Sequence, residues 1–468
     1  MKNSKLFLLL RRLEDWELEE FDDFIRSPYF NKREELVSFF HILRTLDPNF
    51  TGEHLDRASV FHELFPQQEF DDKKLAYLMN YLLKLGERFI GQKKYEENED
   101  TQYLDILHGL VDKRLQKSYS FLIKKLDRKY ASYEGQDAEF WYNRFKLAMI
   151  KLEHFQSLKQ RRYDPSIEEF ALALDDFFFF EKLKHATSTS TIKDLIKADV
   201  RLGMVDEISS YMESADNIPP QIDLYRYLFS AYQNPDSSTF ERFLRLLGSQ
   251  EESMAPKQKR ELFFFAINYC GSRIMEGNTS YYSVVLDLYM RGVENKALFE
   301  NGYLSPYTYT NIVKLCLGLK KIELLEDFLE KNSKYLPPEK RIDAEHLNRA
   351  ELAYFKKDYE KVFENLNALD HSDFYYSLGS RVLLLKTFYA QNDIEPLLSQ
   401  ITSFNQYLRR NSKLAPSMKK PFENFCKSLA LIMRAKPGKK DTIKEKIRNQ
   451  HPVAEKSWLL ETLEKELG

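Results

Sequence analysis

Several residue types that can perform chemistry are present in this sequence, but their spacing matches no known metal site. Nine histidines are scattered along the 468 residues, and His54 and His62 lie close together with three acids nearby, namely Glu53, Asp56 and Glu63. Zinc and other transition metals use such side chains, yet this spacing is not that of a ligand pair on a helix. We therefore expect no metal here and interpret these residues as exposed loop positions.

The three cysteines, Cys270, Cys316 and Cys426, are isolated, and each lies in an apolar segment with helical periodicity. No CxxC pair is present, so the sequence predicts neither a zinc knuckle nor a disulfide framework. Free cysteine is among the most buried residue types, which favours packing in a core over a role as nucleophile. Isolated thiols also fit a reducing compartment.

Motifs of the common catalytic classes are absent from the sequence. It contains no glycine-rich dinucleotide or phosphate loop, no serine nucleophile elbow and no HExxH zinc helix. Gly438 and Lys439 match the Gly-Lys part of the phosphate-loop motif, but Met433 occupies the position of the first glycine of that motif. We interpret this fragment as a charged turn and predict a protein without catalytic residues or a cofactor. An enzyme whose site is assembled from distant residues remains an alternative.

Charge and hydropathy indicate a cytoplasmic protein. The 70 Lys and Arg residues nearly balance 72 Asp and Glu residues, so global charge favours no particular partner. The apolar run 6–10 is ended by Arg11 and Arg12, which makes it shorter than the core of a signal peptide. The longest apolar run, 262–267, is far shorter than a membrane span.

The pattern of apolar residues predicts an all-α protein. Apolar residues recur at i, i+3, i+4 and i+7 in segment after segment, for example over 36–43, 75–82 and 115–126. With only 15 glycines and 16 prolines, the chain has few of the turns that an all-β fold needs. Prolines spaced about 30–50 residues apart suggest helix hairpins. Thr191, with Asp194 three residues later, also predicts the start of a helix.

Local charge divides the chain into three predicted regions. Residues 14–23 carry seven acids, whereas residues 409–449 carry thirteen Lys or Arg against three acids. We predict an N-terminal helical domain over 1–135, an irregular array of helix pairs over 136–410 and basic C-terminal helices that cap the array over 411–468.

The basic C-terminal segment is the charge feature that stands above the background. Its lysines could neutralise the phosphates of a nucleic acid or another polyanion. The alternatives are a solvated helix face and an intramolecular partner for the acidic run 14–23. The candidate polyanion-binding residues are Lys419, Lys420, Lys439, Lys440 and Lys444.

A repeat is visible in the middle of the chain. Over 345–370, Ala350 is followed by the turn Lys357-Asp358-Tyr359 and by apolar residues at 362, 366 and 369. The pattern returns 35 residues later at Asn392-Asp393-Ile394 and 37 residues earlier at Lys321-Ile322. This spacing resembles the tetratricopeptide repeat over roughly residues 190–410. Bulky side chains stand at several positions where that family has small ones, so we expect an irregular array.

The resemblance implies a superhelical array of antiparallel helix hairpins, a fold whose concave surface binds proteins. Some members hold a partner's C-terminal carboxylate with Asn and Lys on the first helix of a repeat. Here that face presents Leu347, Glu351 and Tyr354, and an acid would repel a carboxylate. We therefore predict a non-enzymatic scaffold with a hydrophobic or basic partner segment. The alternative is a nucleic-acid-associated or regulatory protein that uses the basic C-terminal segment.

Overall fold

The computed structural model describes residues 3–53, 55–133, 135–196, 200–215, 217–234, 237–370, 373–412, 414–434 and 439–466. In these ranges the chain is mainly α-helical and contains almost no strand, which confirms the predicted all-α class. The described strands are two residues each, β1 (Phe299–Glu300) and β2 (Tyr303–Leu304), and they pair antiparallel with Phe299 opposite Leu304.

The chain divides into two compact units, residues 1–180 (unit 1) and 181–468 (unit 2). The predicted domain boundaries at 135 and 410 stay a prediction. The helices that begin in unit 1 are α1 (Lys5–Leu10), α2 (Asp15–Arg26), α3 (Glu34–Leu46), α4 (Arg57–Leu64), α5 (Asp72–Glu96), α6 (Glu99–Asp112), α7 (Gln116–Ala131), α8 (Ala138–Ser157) and α9 (Ser166–Ile196).

Helix α5 organises the first half of unit 1. The Asp71 side chain caps it by accepting from the Lys74 amide at 3.0 Å. Its apolar face is packed by α1, α2, α3 and α4. There Phe21 meets Phe40 and Phe89 at ring-centroid distances of 5.2 and 5.4 Å. The opposite face of α5 is left to solvent.

The helix start predicted at Thr191 is wrong, because α9 continues through this residue to Ile196. The Thr191 hydroxyl donates to the carbonyl of Ser188 at 2.7 Å. A threonine inside a helix can form this backward bond, so a capping pattern alone does not mark a boundary.

Unit 2 contains many helix pairs. Helix α11 pairs with α12, α13 with α14, α15 with α16, α17 with α18 and α19 with α20, and the first helices α15, α17 and α19 pack on one another in sequence. The helices are α10 (Val205–Ser214), α11 (Pro220–Gln233), α12 (Ser237–Gln250), α13 (Pro256–Met275), α14 (Tyr281–Glu294), α15 (Pro306–Gly318), α16 (Ile322–Asn332), the 3-10 turn Ser333–Tyr335, α17 (Pro338–Phe355), α18 (Tyr359–Asn367), α19 (Phe374–Ala390), α20 (Ile394–Arg410), α21 (Pro416–Met433), α22 (Lys440–Asn449) and α23 (Lys456–Glu466).

Three hairpins of unit 2 share one turn. Lys320, Lys357 and Asn392 each adopt a left-handed backbone, with φ of 58°, 60° and 57°. In the middle hairpin the Lys357 amide donates to the Tyr354 carbonyl at 3.0 Å and the Asp358 amide to the Ala353 carbonyl at 2.9 Å. These two bonds define a Schellman motif, which satisfies carbonyls at the helix end. The turns predicted from the sequence repeat at these positions are confirmed.

Replacing Lys357 by Gly is expected to stabilise unit 2 by about 0.5–1 kcal/mol. A left-handed backbone costs a non-glycine residue about 1–2 kcal/mol, and the greater freedom of glycine in the unfolded chain offsets part of this gain. Urea unfolding checks the prediction. As a control, Glu364→Gly, at an exposed position in the interior of α18, should lower the free energy of unfolding by about 1 kcal/mol. A lower urea midpoint for Lys357→Gly would contradict the prediction.

Candidate protein-binding groove

A groove of about 1390 Å³ lies in unit 2 between α13, α14, α15 and the beginning of α23. Its apolar wall includes Ile267, Val285 and Leu315. Met275 and Tyr282 stand at the groove with 82% and 39% of their surface exposed. A methionine this exposed is a flexible, polarisable contact that can adapt to several partners. The groove can therefore bury apolar side chains supplied by another molecule.

Two glycines keep the groove wall open. At Gly271 and Gly318 an added Cβ would meet no atom within 4 Å, although both residues lie within helices. Glycine inside a helix costs roughly 0.5–1 kcal/mol relative to alanine. No neighbouring atom therefore forbids a side chain at these positions. A large side chain at either position would reduce the volume of the groove without disturbing the packing of the helices.

A polar cluster lies beside the groove and joins α17, α19 and α23. Lys386 of α19 is 6% exposed, and its Nζ lies 2.8 Å from Glu455 Oε2. The same Nζ lies 5.1 Å from the ring centroid of Tyr354 and 5.7 Å from that of Trp458. The indole Nε1 of Trp458 donates to the Tyr354 hydroxyl at 3.1 Å. Glu455 and Trp458 also line the groove, so the cluster forms part of its boundary.

Charges in this cluster are coupled. Burial opposes the charge of Lys386, but Glu351 and Glu455 outweigh burial and raise the pKa of its ammonium group. Burial would also raise the pKa of Glu455, yet Lys386 holds that pKa below its usual value. Burial raises the pKa of Glu351 even though Lys386 and Lys314 act against it. Lys386 and Glu455 are therefore the ion pair, and Glu351 is the carboxylate that ionises less readily.

The structure separates the three residues predicted to contact a partner. Leu347 is 5% exposed, and its Cδ2 lies 3.0 Å from the place of a Cβ at Gly379 in α19. It thus serves helix packing and is not on an open surface. Glu351 and Tyr354 adjoin the polar cluster, where Trp458 contacts Tyr354. The chain's own residues around α23 therefore cover part of the face predicted from the sequence.

Sequence reasoning missed Lys386, Glu455 and Trp458. Lys386 and Glu455 are 69 residues apart, and Trp458 lies 104 residues from its partner Tyr354. No local motif connects positions so distant in the chain. One signal was available, since Lys386 interrupts an otherwise apolar and hydroxyl-bearing stretch, 382–389, of a predicted helix. A charge on such a face needs a partner when it is buried.

Part of the basic C-terminal segment is neutralised within the chain. Lys440 and Lys444 of α22 both pair with Glu464 of α23, the first at 2.8 Å. Hydrogen bonds from these two ammonium groups lower the pKa of Glu464 to about 2. Lys420 and Lys439 are exposed, and Lys419 is half-buried.

Described ion pairs of the acidic run 14–23 are local to unit 1. Glu20 lies 2.7 Å from Lys93, and Asp22 contacts Arg26 and His41 at 3.0 and 2.6 Å. The acidic run 14–23 and the basic C-terminal segment thus each form ion pairs within their own unit. Glu464, a residue outside both runs, pairs with Lys440 and Lys444 of the basic segment.

All three cysteines are buried, as predicted. Burial raises the pKa of the Cys270 and Cys426 thiols to about 12 and that of Cys316 to about 11. At neutral pH they are therefore thiols and not nucleophilic thiolates.

His54 and Gly438, which belong to the sequence candidates for a metal site and a phosphate loop, lie outside the described residues. Among the described residues, no group of three or more His, Cys, Asp or Glu side chains is placed to hold a metal ion. Over the same ranges, no helix has the length and apolar character to cross a membrane.

The fold and groove define an all-α protein with many packed helix pairs. No known family matches the chain, and searches of curated proteins and of solved structures give no significant match. The likeness to tetratricopeptide repeats therefore rests on the repeated residues, the shared turn and the helix pairs described above.

Proposed function

We propose that this chain is a non-enzymatic scaffold that binds a segment of a partner protein in the groove of unit 2. In this proposal the helix pairs form an irregular, superhelical array of tetratricopeptide type, and the groove is part of its concave surface. The observation that carries the proposal is the open groove of about 1390 Å³ with its exposed Met275 and Tyr282. Concave surfaces of stacked helix pairs commonly serve as binding sites for extended or helical segments.

The groove suits an apolar segment that carries a basic residue. Its apolar wall can bury partner side chains at roughly 25 cal/mol for each Å² removed from water. The charged groups that line the groove are Glu455, Glu461 and Lys314, and Lys386 beside the groove already pairs with Glu455. With Glu351, next to Lys314 and Glu455, three carboxyl groups stand against two ammonium groups, and burial raises the pKa of Glu351. A partner cation placed near these acids would gain electrostatic energy in a partly desolvated site.

Gly271→Leu tests this proposal by filling the groove. The full-length protein, carrying an affinity tag, is purified from its native cells, and the captured proteins are identified by mass spectrometry. Gly109→Leu in α6 is the matched control, because its Cβ also meets no atom within 4 Å but lies outside the groove. A groove partner is captured by the wild type and by Gly109→Leu, and is lost with Gly271→Leu.

Capture from cells does not by itself show direct binding, so photo-crosslinking is the second test. A photo-crosslinking residue placed at Tyr282, which lines the groove, should join the purified partner, whereas one placed at Tyr163, which is 64% exposed in unit 1, should not. If the captured proteins are the same for Gly271→Leu and the wild type, the groove is not the binding site and the proposal fails.

The alternative function, polyanion binding by the basic C-terminal segment, has less support. Lys440 and Lys444 are already paired with Glu464, which leaves Lys419, Lys420 and Lys439 as candidate contacts among the five lysines. Retention on heparin that falls in a Lys420→Ala/Lys439→Ala variant would favour this alternative over the scaffold.

A further inference from the structure

The solvent face of α5 in unit 1 carries two aromatic rings flanked by cations. Lys73, Tyr77, Tyr81, Lys84 and Arg88 follow one another at intervals of three or four residues, which places them on one face of the helix. None of the five is buried, whereas the opposite face of α5 packs into the core. No acidic residue of α5 lies within this stripe, since Glu87 falls at its margin.

Rings in this stripe are held in place by their neighbours. The ring centroids of Tyr77 and Tyr81 are 4.8 Å apart, and the two hydroxyls are hydrogen-bonded at 3.3 Å. The guanidinium of Arg33, from the segment before α3, stacks 4.1 Å above the Tyr81 ring, and Lys84 Nζ lies 5.8 Å from the same ring. Tyr77 nevertheless keeps 58% of its surface exposed. An ordered yet exposed ring loses little freedom when a flat ligand stacks on it.

The stripe continues onto the loop between α2 and α3. Arg88 lies 5.4 Å from the Phe30 ring, and Phe30 in turn contacts Tyr29, which is 83% exposed. We name the surface formed by Tyr29, Arg33 and the five residues of α5 the α5 strip. From Lys73 to Arg88 it extends about 22 Å, given 1.5 Å for each helical residue.

A hollow of about 370 Å³ adjoins the α5 strip. Its lining includes the cations of Arg33, Lys73 and Lys74, and the acids Glu35 and Asp71. Glu35 lies 3.7 Å from Arg33, and the Asp71 side chain accepts from the Lys74 amide. The acids therefore lie at the N-terminal end of the strip, and the part from Tyr77 to Arg88 keeps an excess of positive charge.

We propose that the α5 strip binds single-stranded nucleic acid. Proteins that do this without reading sequence combine cations that follow the phosphates with aromatic rings on which bases stack. Lys73, Lys84 and Arg88 supply the cations, and Tyr77 and Tyr29 supply free ring faces. A peptide of Asp and Glu residues or an anionic membrane would use the cations but has no flat ring to stack on Tyr77. Base-paired strands hide their ring faces, so unpaired bases fit the strip better.

Fluorescence anisotropy of the full-length protein with a labelled 15-nucleotide oligo(dT) at low salt tests the proposal. Tyr77→Ala should weaken binding by about tenfold, because one stacked base contributes roughly 1–3 kcal/mol. Tyr77→Phe, which keeps the ring, should bind like the wild type. Tyr163→Ala is the matched control, since Tyr163 is also an exposed tyrosine of unit 1 but lies outside the strip. Circular dichroism confirms that each variant folds.

The charge is tested separately. Lys84→Ala should weaken binding and reduce the dependence of log K on log salt by about 0.7, the value for one phosphate contact on a single strand. Lys113 is an exposed lysine after α6, and Lys113→Ala should leave the affinity and its salt dependence unchanged. The proposal is overturned if oligo(dT) does not bind at low salt, or if Tyr77→Ala binds like the wild type. It is also overturned if polyglutamate or phosphatidylserine vesicles bind more tightly than oligo(dT), or if binding depends instead on Lys420 and Lys439.

Discussion

Replacing Lys386 by Met is expected to lower the free energy of unfolding of unit 2 by about 2–4 kcal/mol. Lys386 is 6% exposed, and its ammonium group is paired with Glu455 and lies over the rings of Tyr354 and Trp458. Without this cation, Glu455 has no ion-pair partner in a partly desolvated site, and the pKa of the neighbouring Glu351 loses the lowering effect of Lys386. Removing one member of a buried ion pair typically costs about 3–5 kcal/mol, and the partial exposure of Glu455 to water reduces this cost. Urea unfolding measures the change in the free energy of unfolding, and hydrogen exchange in α19 assigns it to unit 2.

The triple variant Lys386→Met/Glu351→Gln/Glu455→Gln should recover most of the lost stability. Replacing a buried ionic cluster by well-packed uncharged side chains of similar volume avoids an unpaired buried charge, and Gln keeps the shape of Glu. As a surface control, Lys356→Met removes the exposed ion pair between Lys356 and Glu326 and should cost less than about 1 kcal/mol. Equal losses for the two single variants would show that Lys386 behaves as an ordinary surface charge.

Alkaline pH provides an independent check on the Lys386 prediction. Because the pKa of Lys386 is raised in the folded protein, its stabilisation is complete below the ordinary value of 10.5 and is lost as pH rises through the folded pKa. The difference in unfolding free energy between the wild type and Lys386→Met should therefore shrink above about pH 10.5. A difference that does not change between pH 8 and pH 11 would mean that lost packing, and not lost charge, causes the destabilisation.

Local signals predicted the fold class and several helix boundaries. The periodic apolar residues of 75–82 and 36–43 lie on the buried faces of α5 and α3, since burial of one helix face imposes this spacing. Pro220, Pro256, Pro306, Pro338 and Pro416 each stand at the first position of a helix. A proline costs nothing there, because the amide of that position has no partner within the helix.

The candidate sites depend on contacts that local patterns do not contain. Leu347 is an example. The sequence repeat predicts its position on the helix, but its burial results from contact with α19 at Gly379. The groove needs α13 and α15 to lie beside α23, which follows from packing along the whole of unit 2. The α5 strip was missed for a different reason. A net charge summed over a long segment, in which the acids of 14–23 are included, does not show that cations gather on one face of α5.

Gly292→Ala is expected to lower the free energy of unfolding of unit 2 by about 1–3 kcal/mol, the range found for overpacked cores. A Cβ at Gly292 would lie 2.7 Å from Leu298 Cγ and 3.1 Å from Phe263 Cδ1. Leu298 cannot move away easily, because it is 1% exposed and its amide donates to the Gly292 carbonyl at 3.0 Å. The close return of the chain after α14 therefore requires the absence of a side chain.

Alanine at Gly109 should instead raise the free energy of unfolding. A Cβ there meets no atom within 4 Å, so Gly109→Ala gains helix propensity without a clash and should stabilise α6 by about 0.5–1 kcal/mol. Urea unfolding of both variants, with hydrogen exchange in α6 and α14 to assign each change to its unit, measures the contrast. If Gly292→Ala proved as stable as Gly109→Ala, the tight packing of Leu298 on α14 would not be a feature of the protein in solution. A clear loss at Gly292 alone would show that this glycine is required by close packing in unit 2, whereas Gly109 is not.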